Sequence, residues 1–300
     1  AIKAKTDAPF GVNFHMDVPV ADDSVDLCIE QRVRAVIYSR SPSAKSVEKL
    51  KAAGVVCIPT GGAFKHAIKA VELGADALVI QGGEGGGHTG SVATSILLGQ
   101  VRGAVSVPIA AAGGFRDGGG LVAALAMGAQ GIAMGTRFLL TQESPVPDAT
   151  KAVYLRTPPE DIVVSTRLDG LPQRMIANSY LARLIDASQV GLLLRALRNG
   201  LAFTKMTGSS LWDMLKSAWH MRRGGDLSLG QTLMAANAPM MIQEAMVHGR
   251  PEDGILPSGQ VAGLIDDLPS VEVLISGIMA EAESTLEVLS KHRTGDTNQD

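Results

Sequence analysis

From Phe10 to Leu140 the chain repeats one pattern: a short apolar run rich in β-branched residues, then a stretch of about a dozen residues with helical spacing of its apolar side chains. A strand buried on both faces reads as an unbroken apolar run rather than an alternating one, so this rhythm requires a parallel sheet covered by helices. The strand candidates are Phe10–Phe14, Ala35–Ser39, Val55–Thr60, Ala77–Gly82, Val107–Gly114 and Gly131–Gly135. Helix candidates lie between them at Ser43–Ala53, Ala63–Leu73 and Gly119–Met127, each followed by a glycine (Gly54, Gly74, Gly128) placed to end it in a left-handed turn.

Six strands suit an open doubly wound sheet or part of a closed barrel. The glycines favour the barrel, because the last two strands end in Gly113-Gly114 and Gly135-Thr136. In a (β/α)8 barrel the loops after strands 7 and 8 build a phosphate site from backbone N–H groups and a helix N-terminus. The expectation is an α/β chain forming a (β/α)8 TIM barrel that lacks its first two βα units, with roughly fifty residues of a longer protein preceding Ala1. Residues 1–145 are read as the barrel portion. Residues 146–250 carry helical periodicity with no clear strand beyond Ile162–Ser165, and are read as a helical lid. Residues 251–293 are read as a segment returning to the barrel, with a helix opened by Ser270, and 294–300 as a disordered tail.

Composition excludes several classes. A net charge of −3 offers no basic field for nucleic acid, and aromatics at 4% leave few stacking platforms. The two cysteines, Cys28 and Cys57, form no CxxC pair, so neither a disulfide framework nor a metal site is indicated. No run approaches the roughly 18 apolar residues a membrane span needs. A cytoplasmic setting is expected.

The segment that points to chemistry is Gln81-Gly82-Gly83-Glu84-Gly85-Gly86-Gly87-His88-Thr89-Gly90, which comes after an apolar strand and so stands at the carboxyl end of a barrel strand, where catalytic groups belong. Its glycines let backbone approach a flat ligand, and they surround one imidazole. Gly85, Gly87 and Gly90 satisfy GxGxxG. No acid lies about 20 residues on, however, so the dinucleotide fingerprint fails its context. A flexible glycine loop with a solvated histidine is the plain alternative, as is relief of crowding at a barrel rim for Gly113-Gly114. Backbone donors there, with Gly118–Gly120 opening a helix whose positive end adds to the field, suit a phosphate dianion.

QGGEGGGHTG resembles the flavin-side loop of nitronate monooxygenases (2-nitropropane dioxygenases) and of the related FMN-dependent enoyl-ACP reductases. Ala111–Leu139 resembles their FMN-phosphate segment, and Leu256-Pro257-Ser258-Gly259-Gln260-Val261-Ala262-Gly263 resembles a segment packed near the flavin. The resemblance implies an FMN-dependent oxidoreductase with His88 as catalytic histidine. It implies FMN phosphate on Gly113, Gly114, Gly135 and Thr136, and flavin contacts from Asn13, Thr60, Gln81, Gly82, Gly86, Gly87 and Gln260. FMN rather than FAD is expected from the absence of a dinucleotide crevice. Where relatives place a lysine beside the ring edge, this sequence has Thr60-Gly61-Gly62, with Lys65 the nearest cation.

The implied reaction is oxidative denitrification of a nitronate or nitroalkane to a carbonyl compound and nitrite. A second reading is reduction of α,β-unsaturated CoA or ACP thioesters, since AANAPMM and SGQVAGLIDDLPS look similar to an actinobacterial branch that acts on steroid-ring CoA esters. A third is a flavin-binding module without turnover. NAD(P)H or oxygen is the expected electron partner, and a homodimer is left open. His15 and His66 are read as surface or supporting histidines. The run Met234–Met241 is read as a substrate wall or as core, and Lys216, His220, Arg222 and Arg223 as a phosphate-handle site or a solvated helix face.

Overall fold

In the computed structural model the described residues are 2–16, 21–39, 43–186 and 229–294, with backbone alone for 229–237, 293 and 294. The chain divides into two compact units, one of residues 1–83, 90–133 and 277–300, the other of residues 84–89 and 134–276.

The first unit holds the repeated pattern. Its strands are β1 (Gly11–His15), β2 (Ala35–Ser39), β3 (Val56–Gly61), β4 (Leu78–Gln81), β6 (Ile109–Ala112) and β7 (Gly131–Ala133); β5 (Gly87–His88) belongs to the other unit. All six pair in parallel, in the order β1-β2-β3-β4-β6-β7. This order decides between the two sheet types left open by the sequence. A doubly wound sheet reverses its order at a switch point, whereas here each strand adds beside the one before it, as in a barrel wall.

Helices α1 (Ala21–Glu30), α2 (Ala44–Ala52), α3 (Phe64–Glu72), α4 (Thr94–Arg102) and α5 (Gly118–Ala126) connect the strands. Their ends obey local chemistry. Ser43 accepts a hydrogen bond from the Ser46 N–H at the start of α2, and Asp117 accepts one from Gly120 at the start of α5. Gly54, Gly74 and Gly128 take φ of +74°, +91° and +92° after α2, α3 and α5, the left-handed turn that a side chain would resist. Val36, Tyr38, Val47, Leu50 and Cys57 are fully buried between β1–β3 and their helices, each large apolar side chain contributing about 1.5–3 kcal/mol on leaving water.

The second unit departs from the helical lid expected for residues 146–250. β5 pairs antiparallel with β9 (Gln173–Ile176), which pairs antiparallel with β8 (Ile162–Ser165). β9 is short and buried at three of its four positions, so it lacks the alternation that marks a half-exposed strand. Around this sheet stand α6 (Thr136–Leu139), α7 (Asp148–Arg156), α8 (Ser179–Ile185) and α9 (Leu229–Met246). Met241 is core, packed with Leu168, Met175, Leu181 and Leu184. Lys216, His220, Arg222, Arg223 and the tail from 295 lie outside the described residues. Among those described, no helix is long and apolar enough to cross a membrane.

The helix α10 (Val271–Thr294) runs from the second unit's sequence into the first, where Gly118 meets it. A Cβ on Gly118 would collide with the Ile278 carbonyl and stand 2.5 Å from the Ala282 nitrogen. Gly118→Ala is therefore expected to destabilise the protein by about 1–3 kcal/mol, the usual range for overpacking, read as a lower urea midpoint with unchanged slope.

Candidate active site

His88 is held by contacts that span 81 and 85 residues. In β5 it registers opposite Gln173 of β9, and Gly87 opposite Arg174. Its Nε2 stands 2.7 Å from Asp169 Oδ2. The Gln173 side-chain amide donates to the same oxygen at 2.7 Å and lies 3.1 Å from His88 Nε2. Leu171 N–H donates to Asp169 Oδ1 at 3.0 Å, and Gly170, at φ +85°, makes the turn that brings it there. Asp169 and Gln173 are buried, while the His88 side chain keeps 40% of its exposure.

Burial pushes the Asp169 carboxyl up, but the hydrogen bonds from His88, Leu171 and Gln173 and the charge of His88 outweigh it and hold the group below the usual carboxylate range. An ionised carboxylate has no proton to give, so the hydrogen in the 2.7 Å contact sits on His88 Nε2. In the neutral ring that leaves the lone pair on Nδ1.

The residues before His88 are fixed by close backbone packing. A Cβ on Gly86 would stand 2.5 Å from the Gly259 nitrogen and 2.6 Å from the Ser258 carbonyl carbon. Gly259 N–H donates to Thr136 Oγ1 at 2.9 Å, and Gln260 N–H to the Glu84 carbonyl at 2.9 Å. Three of the residues singled out in the sequence, Gly86, Thr136 and Gln260, therefore meet at the strap Ser258-Gly259-Gln260. Ser258 N–H in turn donates to the Arg174 carbonyl, and Tyr154 Oη donates to the Pro257 carbonyl at 2.7 Å. Gly135 caps α6 with nothing within 4 Å of where a Cβ would stand, and Gly87, at φ +69°, is equally open.

In the first unit Gln81 ends β4 opposite Ala112, and Thr60 lies in β3 opposite Val79. A Cβ on Gly82 would overlap Thr94, whose hydroxyl donates to the Gly113 carbonyl at 3.0 Å. Thr94, buried at the start of α4, so ties the loop after β4 to the loop after β6. Gly113 and Gly114 take φ of +94° and +86° in succession. Asn13 is exposed on the edge strand β1, three strands from β4. His15 bonds Ser39 through Nδ1 at 2.7 Å, while Lys65 and His66 are exposed on α3. A hollow of about 670 Å³ lies at the amino ends of β1–β3, beside Phe10, Arg34 and Val55, the end of a barrel that does not carry its chemistry.

One expectation is corrected. The N-terminus of α5 does not offer its field to a phosphate, because Glu281 accepts from Gly118 N–H at 3.0 Å and Gly119 N–H at 3.4 Å, and Asp117 accepts from Gly120 N–H at 2.8 Å. Two carboxylates already occupy that positive end. Of the other residues expected at a phosphate, Gly113 and Gly114 in the first unit are consecutive left-handed glycines after β6, and Gly135 in the second unit has nothing within 4 Å of where a Cβ would stand. Thr136 accepts from Gly259 yet keeps its own O–H to donate.

Asp169, Gln173 and Thr94 were not singled out in the sequence. The available signal was Asp169-Gly170 between Ile162–Ser165 and Gln173–Ile176, a turn pair between two short β-rich runs.

The family model described as NMO, nitronate monooxygenase, matches residues 1–281. The (3aS,4S,5R,7aS)-5-hydroxy-7a-methyl-1-oxo-octahydro-1H-indene-4-carboxyl-CoA dehydrogenase of Rhodococcus jostii RHA1 is 47% identical over 291 residues, covering 97% of this chain and 82% of that protein. A probable nitronate monooxygenase of Staphylococcus saprophyticus is 32% identical over 196 residues, 59% of this chain and 55% of that one. The solved structure of FabK from Thermotoga maritima superposes with a TM-score of 0.73 at 31% identity, covering 97% of this chain and 81% of FabK.

Because its folded-state pKa is depressed, Asp169 contributes stability that is present above the unfolded carboxyl value of about 3.9 and is lost as pH falls through the lower folded value. The stability advantage of wild type over Asp169→Asn is expected to be constant near neutrality and to shrink in that acid window, read from urea midpoints across pH.

Proposed function

Since the chain belongs to the nitronate monooxygenase family and is an oxidoreductase of that type, we propose that it uses FMN to oxidise or reduce the carbon beside a CoA thioester carbonyl on a fused-ring acid. Identity of 47% across nearly the whole chain with a hydroindane-carboxyl-CoA dehydrogenase supports this substrate class over a simple nitronate, for which the similarity is lower and covers less of the chain.

The carrying observation is the His88–Asp169 pair, an exposed imidazole anchored on a buried carboxylate. Nitroalkanes and acyl thioesters share one chemical feature, a carbon acid next to a strongly electron-withdrawing group, and a base placed there serves both. Bound FMN supplies a two-electron acceptor or donor at its ring. His88 then holds the proton: it removes the α-proton as hydride leaves the β-carbon in dehydrogenation, and returns it in the reverse sense. Backbone N–H groups of Gly113, Gly114 and Gly135, with the Thr136 hydroxyl, would hold the phosphate, while Gln81, Gly82, Gly86, Gly87 and Gln260 would flank the ring and ribityl chain, with Thr60 and Asn13 at its periphery. The second reading, nitronate oxidation with oxygen, rests on the family match over residues 1–281.

The deciding experiment is turnover of the flavin-loaded protein with a hydroindane acyl-CoA, an enoyl-CoA and a nitronate, each with oxygen, NADH or NADPH as electron partner. Thioester turnover exceeding nitronate turnover is expected. His88→Asn should retain FMN and lower thioester turnover by about 10²–10⁴. Faster nitronate turnover, or FAD released on denaturation, would refute the assignment.

A further inference from the structure

We propose that Asp169 is the positioning residue of this site: supported by Gln173, it fixes His88 in the tautomer protonated on Nε2 and so makes Nδ1 the atom that takes the substrate proton. The inference rests on the reading of His88 as the base.

Three observations carry it. The carboxylate is fully committed, because Oδ2 accepts from His88 and Gln173 at 2.7 Å each and Oδ1 accepts from Leu171 N–H at 3.0 Å. It cannot rotate away without stranding a buried donor, which costs about 1–3 kcal/mol. Second, the pair is asymmetric in exposure: the carboxylate is buried, while the imidazole it holds is 40% exposed. An exposed ion pair adds little stability, and a buried carboxylate is expensive unless fully bonded. This arrangement suits a base held by an orienting group better than a surface bridge. Third, β5 extends for only two residues, and those two register His88 on Gln173 and Gly87 on Arg174. The strand pairing thus sets the ring beside the carboxylate. Among the described residues, His88 is the one titratable group that bears on Asp169: Arg174, next along β9, is engaged with the Ile162 carbonyl and the charge of Glu84.

In Asp169→Asn the side-chain oxygen keeps the Leu171 bond, an amide NH2 replaces Oδ2, and the Gln173 amide turns its oxygen to accept one of the new N–H bonds. The other N–H donates to His88 Nε2, which must become an acceptor, so the ring proton moves to Nδ1 and the base is blocked. In a serine-protease triad the corresponding change costs about 10⁴ in kcat through the same tautomer error.

The test combines long-range ¹H–¹⁵N spectra of the histidine-labelled full chain with kinetics. His88 is assigned by its loss in His88→Gln. The wild-type neutral ring is expected to be protonated on Nε2, and that of Asp169→Asn on Nδ1. Thioester turnover of Asp169→Asn should fall at least about 10²-fold, with KM and FMN content within about twofold, and Asp169→Glu should restore part of it. Gln173→Leu should leave the tautomer unchanged. A wild-type ring protonated on Nδ1 overturns the inference without any variant and leaves the base reading standing. A tautomer that switches in Asp169→Asn with turnover unchanged overturns the base reading, and this inference with it.

Discussion

Backbone approach too close for any side chain governs the segment that carries the chemistry. On leaving β4 the chain presents Gly82 against Thr94, Gly86 against Ser258 and Gly259, and Gly90 against the Gly62 carbonyl. At each point a methyl group would overlap main chain or a buried threonine. These glycines therefore serve contact with the protein's own backbone first, whereas at Gly87 of the same loop a Cβ would meet nothing. Once Gly86 lies flat on the strap Ser258–Gln260, the next two residues pair with β9, and the direction of the His88 side chain is set.

That placement has an electrostatic consequence. A carboxylate as buried as Asp169 persists only because three N–H donors face it, one from His88, one from Gln173 and one from Leu171. Removing a donor raises the cost of the charge, so each bond supports the carboxylate that the other two hold. A similar economy governs the first unit, where Glu281 and Asp117 neutralise the start of α5. A helix end that looks available for an anion in sequence is filled by acids, one local and one from 163 residues away.

The βα pattern was legible because each strand is a compact apolar run and α2, α3 and α5 each end on a left-handed glycine. β2 spans Ala35–Ser39 in both reading and structure, and the other strands differ by a few residues at their ends. The second unit was less legible. β9 is four residues long, buried at positions that do not alternate, and its partners β5 and β8 lie 85 and 8 residues or more away in sequence, as in the pairs His88–Gln173 and Ser165–Gln173. Periodicity reports which face of an element is buried. It does not report which element covers that face.

By itself the sequence determined the α/β class, the family, and His88 with its glycine loop as the place to look, because these depend on local spacing and on motifs contiguous in the chain. Only the tertiary structure decided that the sheet order is sequential, that Asp169 and Gln173 stand behind His88, that Thr94 joins the loops after β4 and β6, and that the start of α5 is already neutralised. The reason is that hydrogen-bond partners of a buried group are chosen by distance in space, and a contact across 81 or 163 residues leaves no period, cap or spacing in the chain that names it.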